Sequence, residues 1–180
     1  PSKEEREGLK RIAKAIDKLH IDLPGYKTVT CLETTVGSGT NLGYDFQHLA
    51  WIRAHVSEPK RVGFCFDTCH ITAAGYDMSS RKKADGVIEL LKESVGLEHI
   101  HVFHFNDSVG ERGSRLDRHA HIGQGTCGLS CFRAIIEHTQ WNDVPKIVET
   151  SKEENKAGKP MDMVNIAKLR RMAKSAMKHR

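Results

Sequence analysis

Four residues, Glu33, Asp67, His104 and Glu149, follow one another at intervals of roughly 35 to 45 positions, each at or near the end of a short apolar run. Three carboxylates and an imidazole form a donor set suited to zinc or manganese rather than calcium. Gathered in one partly buried place, the carboxylates would repel each other, and a cation removes that conflict. A second set lies nearby in sequence. His70 comes three residues after Asp67, while Asp117 and His119 are two apart, so their side chains share a side in an extended segment. Three protein ligands of this kind leave a position open for water or substrate. Any single strand-end carboxylate could equally cap a helix, but four ligand-type residues in succession favour one site.

Other motifs are less specific. Gly37-Ser-Gly-Thr-Asn-Leu-Gly43 has the spacing of neither a dinucleotide fingerprint nor a P-loop. Gly37, Ser38 and Gly39 are candidate contacts to a phosphate backbone, with a simple turn as the alternative. Arg118, between two candidate ligands, is either a phosphate contact or a solvated arginine. Cys65-x3-Cys69 and Cys127-x3-Cys131 fall within loose zinc-site spacing, yet one pair starts in an apolar strand and the other spans a helix start. They read better as small buried hydrophobes. His20, His48, His55, His99, His101, His121, His138 and His179 read as surface or satisfied core residues. His101 shares a side with Phe103 in an extended strand and is expected at a barrel–helix interface. The basic end, Arg170, Arg171, Lys174, Lys178 and Arg180, reads as the wet face of an outer helix.

The elements that must position these residues alternate. Ser2 with Glu5 is a capping-box pattern, and Leu9, Ile12, Ala13, Ile16 and Leu19 recur at helical spacing, predicting a helix over 3–19. Strands are predicted over 27–33, 61–67, 99–106 and 146–149. Helices are predicted over 46–55, 81–95, 129–137 and 162–177, the last with a stripe at Ile166, Leu169, Ala173 and Ala176. Such alternation means a parallel sheet with right-handed crossovers, an α/β class. Strand ends converge in a barrel and also in a doubly wound open sheet, and the pattern alone does not choose between them.

At 180 residues, with 38% hydrophobic and 28% charged residues, the chain fits one globular domain. A net charge of +5 favours an anionic partner. Five cysteines and no secretory signal argue against a disulfide framework and for an intracellular protein. No apolar run approaches the roughly 20 residues of a membrane span.

The segments 32–44 (Leu-Glu-Thr-Thr-Val-Gly-Ser-Gly-Thr-Asn-Leu-Gly-Tyr), 61–77 (from Arg-Val-Gly-Phe-Cys-Phe-Asp-Thr-Cys-His), 104–107 with 113–119, and Pro145-Lys-Ile-Val-Glu-Thr150 resemble the signature blocks of the endonuclease IV family, in the family's order. The resemblance implies a TIM barrel and a zinc-dependent apurinic/apyrimidinic endonuclease of base excision repair. Its substrate would be duplex DNA containing abasic sites, cleaved 5′ to the lesion to leave a 3′-hydroxyl. It further implies three zinc ions in a complete site. Glu33 would bridge the first and second, Asp67, His104 and Glu149 would complete the second, and His70, Asp117 and His119 would hold the third. Glu33, Asp67 and Glu149 would be the residues nearest the chemistry. The compartment would be cytoplasmic in a bacterium, nuclear or mitochondrial in a eukaryote. The family's first zinc also takes two histidines from earlier strands, which this chain lacks, and a typical barrel needs about 250 residues. The expectation is therefore the C-terminal half of a barrel over 1–180, strands five to eight, holding about two zinc ions and self-associating or pairing with an N-terminal half. The alternatives are a metal-dependent sugar isomerase or epimerase, which would not need Asp117-Arg118-His119, and a catalytically inactive zinc- or DNA-binding fragment.

Overall fold

The computed structural model describes residues 1–178; the side chain of Lys178, His179 and Arg180 lie outside the described residues. The sheet is built from β1 (Thr30–Glu33), β2 (Val62–Asp67), β3 (Ile100–His104) and β6 (Lys146–Ile147), paired parallel in the order β1-β2-β3-β6. Helices α1 (Lys3–Asp22), α2 (Phe46–Ala54), α4 (Arg81–Val95), α5 (Leu129–Glu137) and α6 (Met161–Lys178) alternate with these strands, as expected from the periodicity. The Ser2–Glu5 capping box forms, and the helix it starts runs three residues past the predicted end.

Period-two alternation gives the sheet its two roles. Phe64, Phe66 and Phe103 point outward into the main core with Phe46, Leu91, Phe132 and Ile135 from the covering helices and Trp141 from the turn after α5. A second cluster, Leu9, Ala13, Ile16, Ile52, Val56 and Val62, fixes α1 against α2. Cys65 and Asp67, on the alternate parity, face the inner side. The register then lines up the strand ends: Glu33 pairs with Cys65, Asp67 with His104, and His104 with Ile147.

Several expectations need correction. The strand predicted over 146–149 pairs only at Lys146 and Ile147, because Glu149 is drawn into side-chain bonds beyond the ladder. His101 is not at a barrel–helix interface. The register shifts between Phe64 and Cys65, which pair with Ile100 and Val102, so His101 is bulged out, exposed, and lies over Gly63. The stripe on α6 is only partly seated: Leu169 packs on the core, Ile166 is 38% exposed, and with Ala173 and Ala176 they line an open apolar cavity of about 640 Å³. Two elements had no periodic signal. One is the short helix α3 (Thr68–Ala74), the other an antiparallel pair of β4 (Asp107–Ser108) and β5 (His119–Ala120). Arg170, Arg171 and Lys174 are exposed, as a wet helix face requires. Among the described residues no helix is long and apolar enough to cross a membrane.

Candidate metal centre

One ligand atom each from Glu33, Asp67, His104 and Glu149 lies within 4.8 Å of every other. His104 Nδ1 sits at the centre, 2.9 Å from Glu33 Oε1, 3.0 Å from Glu149 Oε2 and 3.8 Å from Asp67 Oδ2. The hydrogen bond to Glu33, helped by the charges of Glu33, Glu149 and Asp67, raises the His104 pKa above the ordinary imidazole value against the opposing effect of burial. Burial would raise the Glu33 carboxyl, but the bond to His104 and the charges of His104 and His70 outweigh it and hold the carboxyl low. Asp67 goes the other way. It is wholly buried, and desolvation pushes its pKa up despite His70, Asn106 and His119. The His104 ring thus faces three carboxylates whose mutual repulsion a bound cation would relieve.

The second set is assembled by α3 and β5. Asp67 ends β2 and its carboxylate accepts from the His70 backbone N–H at 3.0 Å, so the residue that faces the first set also starts the helix that delivers His70. His70 Nδ1 is 2.7 Å from the Thr34 carbonyl, and His119 Nδ1 is 3.2 Å from the Glu149 carbonyl. A carbonyl only accepts, so both rings donate from Nδ1 and leave Nε2 as the atom turned towards the second set. His70 Nε2 lies 3.3 Å and His119 Nε2 3.5 Å from Asp117 Oδ1. His119 Nε2 is buried and without a hydrogen-bond partner. A buried ring nitrogen without a hydrogen-bond partner, beside a carboxylate, is an arrangement that a divalent cation would satisfy. The residues present therefore fit zinc at both sets. His119 Nε2 is 4.0 Å from Asp67 Oδ2, so the two sets adjoin.

A family model described as a xylose isomerase-like TIM barrel matches residues 1–169. The chain belongs to this family, in its endonuclease IV group. Relatives in the group include proteins named probable endonuclease 4 from Geotalea daltonii, 44% identical over 170 residues, and Trichlorobacter lovleyi, 47% identical over 163. These matches cover 94% and 91% of this chain but 59% and 57% of the relatives. The crystal structure of endonuclease IV from Thermus thermophilus superimposes with a TM-score of 0.77 at 34% identity, over 93% of this chain and 58% of that one. The chain thus spans a little under three-fifths of the length of these endonuclease IV relatives.

Within this endonuclease IV scaffold, all seven candidate ligands converge. The DNA-contact candidates divide. Gly37 is buried at φ +71°, where a Cβ would strike the Tyr44 ring, so it anchors the loop; Ser38 is half-buried and Gly39 exposed with open space beside it. Arg118 is exposed next to the second set, its Nη1 donating to the Asp117 carbonyl at 3.2 Å.

Sequence reasoning missed the residues that orient the ligands. Asn106 is wholly buried, donates from Nδ2 to Asp67 Oδ2 at 2.7 Å and accepts on Oδ1 from the Glu149 backbone N–H at 2.8 Å. Thr34 accepts the Asp67 N–H on its hydroxyl at 3.0 Å, and Thr68 donates to the Asn106 carbonyl at 2.6 Å. No local signal marks them, because their hydrogen-bond partners lie more than 30 residues away in sequence.

The cysteines behave as small core residues. Cys65, Cys69, Cys127 and Cys131 are buried free thiols, and burial pushes Cys69 up to about 12 and the others higher still. Cys31, only half-buried, is raised too, again by burial. In the native chain at neutral pH, a thiol reagent such as DTNB is therefore expected to label Cys31 slowly and the four buried thiols not at all on that timescale. Full labelling of five is expected only in denaturant. Rapid native labelling of Cys65 or Cys69 would show that the strand-end packing is not as described.

Proposed function

We propose that this chain carries the metal-binding strand ends of a DNA-repair endonuclease that hydrolyses the phosphodiester 5′ to abasic sites in duplex DNA, leaving a 3′-hydroxyl. Residues 1–180 are read as one unit supplying four strands of an eight-stranded barrel, working in a DNA-containing compartment. The observation that carries the reading is the adjoining of two donor sets, with the His70 and His119 Nε2 atoms turned towards Asp117 and the Asp67 carboxylate between the sets. A sugar isomerase or epimerase would use the four-ligand set alone. The second set and exposed Arg118 favour a phosphodiester.

When bound there, zinc ions would supply the water-derived nucleophile and offset charge on the departing oxygen. The chain's own part is orientation. Asn106 holds the Asp67 and Glu149 carboxylates in fixed directions, and Thr34 and the Glu149 carbonyl keep the His70 and His119 protons on Nδ1. Glu33, Asp67 and Glu149 bring the negative charge that selects a cation over a neutral ligand. Arg118 is placed to meet a backbone phosphate beside the metal sets. The net charge of +5 suits a polyanion.

The test is a metal count. Elemental analysis of the chain, after adventitious metal has been stripped by a weak chelating resin, is expected to give about two zinc ions per chain, one per donor set. His70→Ala should lower the count by about one. A wild-type chain without stoichiometric zinc would overturn the reading.

A further inference from the structure

Arg115 is the one described non-glycine residue with positive φ, at +56°. Such a backbone persists only where its surroundings hold it. Two anchors lie on the backbone side: the Arg115 N–H donates to the Ala73 carbonyl and the Gly113 N–H to the Thr72 carbonyl, both at 3.0 Å, at the C-terminal end of the helix that carries His70. The side chain then leaves the metal centre altogether. Its Nη1 donates to the Gly37 carbonyl at 2.5 Å, and its guanidinium carbon stands 5.0 Å from the centre of the Tyr44 ring. Tyr44 is itself fixed, its hydroxyl donating at 2.6 Å to Glu5, whose other carboxylate oxygen caps α1. The ring lies where a side chain on Gly37 would have to go.

One arginine therefore ties three pieces together: the loop presenting Ser38 and Gly39, the segment delivering Asp117, Arg118 and His119, and the N-terminus of α1. We propose that Arg115 is a positioning residue that sets the gap between the Gly37–Gly39 loop and Arg118, the gap into which a DNA backbone would fit. This rests on the nuclease reading above. The left-handed backbone at Arg115 is the cost of directing a cation onto the loop while Asp117, two residues later, turns back to His70. A direct phosphate contact by Arg115 is a different role, and the two part company in experiment.

The test uses the zinc-loaded chain with Arg115→Met, Arg115→Lys and Arg115→Gly. The glycine variant removes the unfavourable φ along with the clamp, so it folds even if the methionine variant does not. Amide exchange across 35–44 is expected to quicken at least about tenfold in all three, with the amides of α4 unchanged. Affinity for a duplex bearing a tetrahydrofuran abasic analogue should fall about tenfold, with lysine no better than methionine, because the planar fork rather than the charge is needed. Zinc content and the dependence of affinity on salt should stay as in the wild type. Unchanged exchange across 35–44 would overturn the proposal. So would rescue by lysine together with a salt slope reduced by about one, which marks a phosphate contact. A wild-type chain that binds no duplex, with faster exchange in the variants, would sink the nuclease reading while the clamp stands.

Discussion

Glu149→Gln is expected to abolish incision while leaving DNA binding nearly intact. The measurement belongs in a chimaera that adds the portion of an endonuclease IV relative which this chain does not span. Glu149 Oε2 lies 3.0 Å from His104 Nδ1 and within the 4.8 Å cluster of Glu33, Asp67 and His104. Glutamine keeps the shape and the backbone bond to Asn106, so the fold has no reason to change. What goes is one anionic oxygen from a set whose negative charge selects and orients the cation. Partners one step removed from a metal already cost about 10- to 100-fold when lost, so removing a direct ligand should lower kcat by at least about 100-fold. The dissociation constant for abasic duplex should move by less than about tenfold, since binding depends on backbone contacts elsewhere. Parallel losses in binding and cleavage would place Glu149 in positioning DNA and remove it from the metal set.

The residues behind that expectation were legible in the sequence because parallel strands impose a rule. A ligand at the end of each strand reaches the same face whatever the helices between look like, so Glu33, Asp67, His104 and Glu149 could be named from spacing alone. His70, Asp117 and His119 were also readable from spacing, although α3 and the β4–β5 pair that deliver them are too short to show periodicity. Asn106 and Thr34 were hidden for another reason. Their work is hydrogen bonding across the sheet, from Asn106 to Asp67 and Glu149 and from Thr34 to Asp67 and His70, and separations of more than 30 residues leave no local trace. His101 was misplaced because a single bulged residue reverses the alternation on which its assignment rested. Arg115 was unreadable for a related reason, as nothing in Gly-Ser-Arg-Leu announces a left-handed arginine.

A polypeptide of these 180 residues, made alone, is expected to self-associate and to cleave abasic DNA weakly or not at all. In the four-stranded order β1-β2-β3-β6, the two outer strands each pair on one side among the described residues. The inner face carries half-buried Cys31 and Val102, exposed His101, and Ile147 at 47% exposure. Unpaired parallel edges and an uncovered inner face drive pairing with another chain, and two sets of four strands have the number needed for a closed barrel of eight. Light scattering after gel filtration should then give a mass near twice 20.2 kDa that falls on dilution. Dimerisation does not restore chemistry, however. A second copy repeats Glu33, Asp67, His70, His104, Asp117, His119 and Glu149 and adds no new kind of ligand, so Glu33 remains without the two histidines that the family resemblance sets beside it at the first zinc. A strictly monomeric chain with vigorous, EDTA-sensitive incision would show that the two donor sets present here suffice for the reaction and that the open edges of β1 and β6 need no partner.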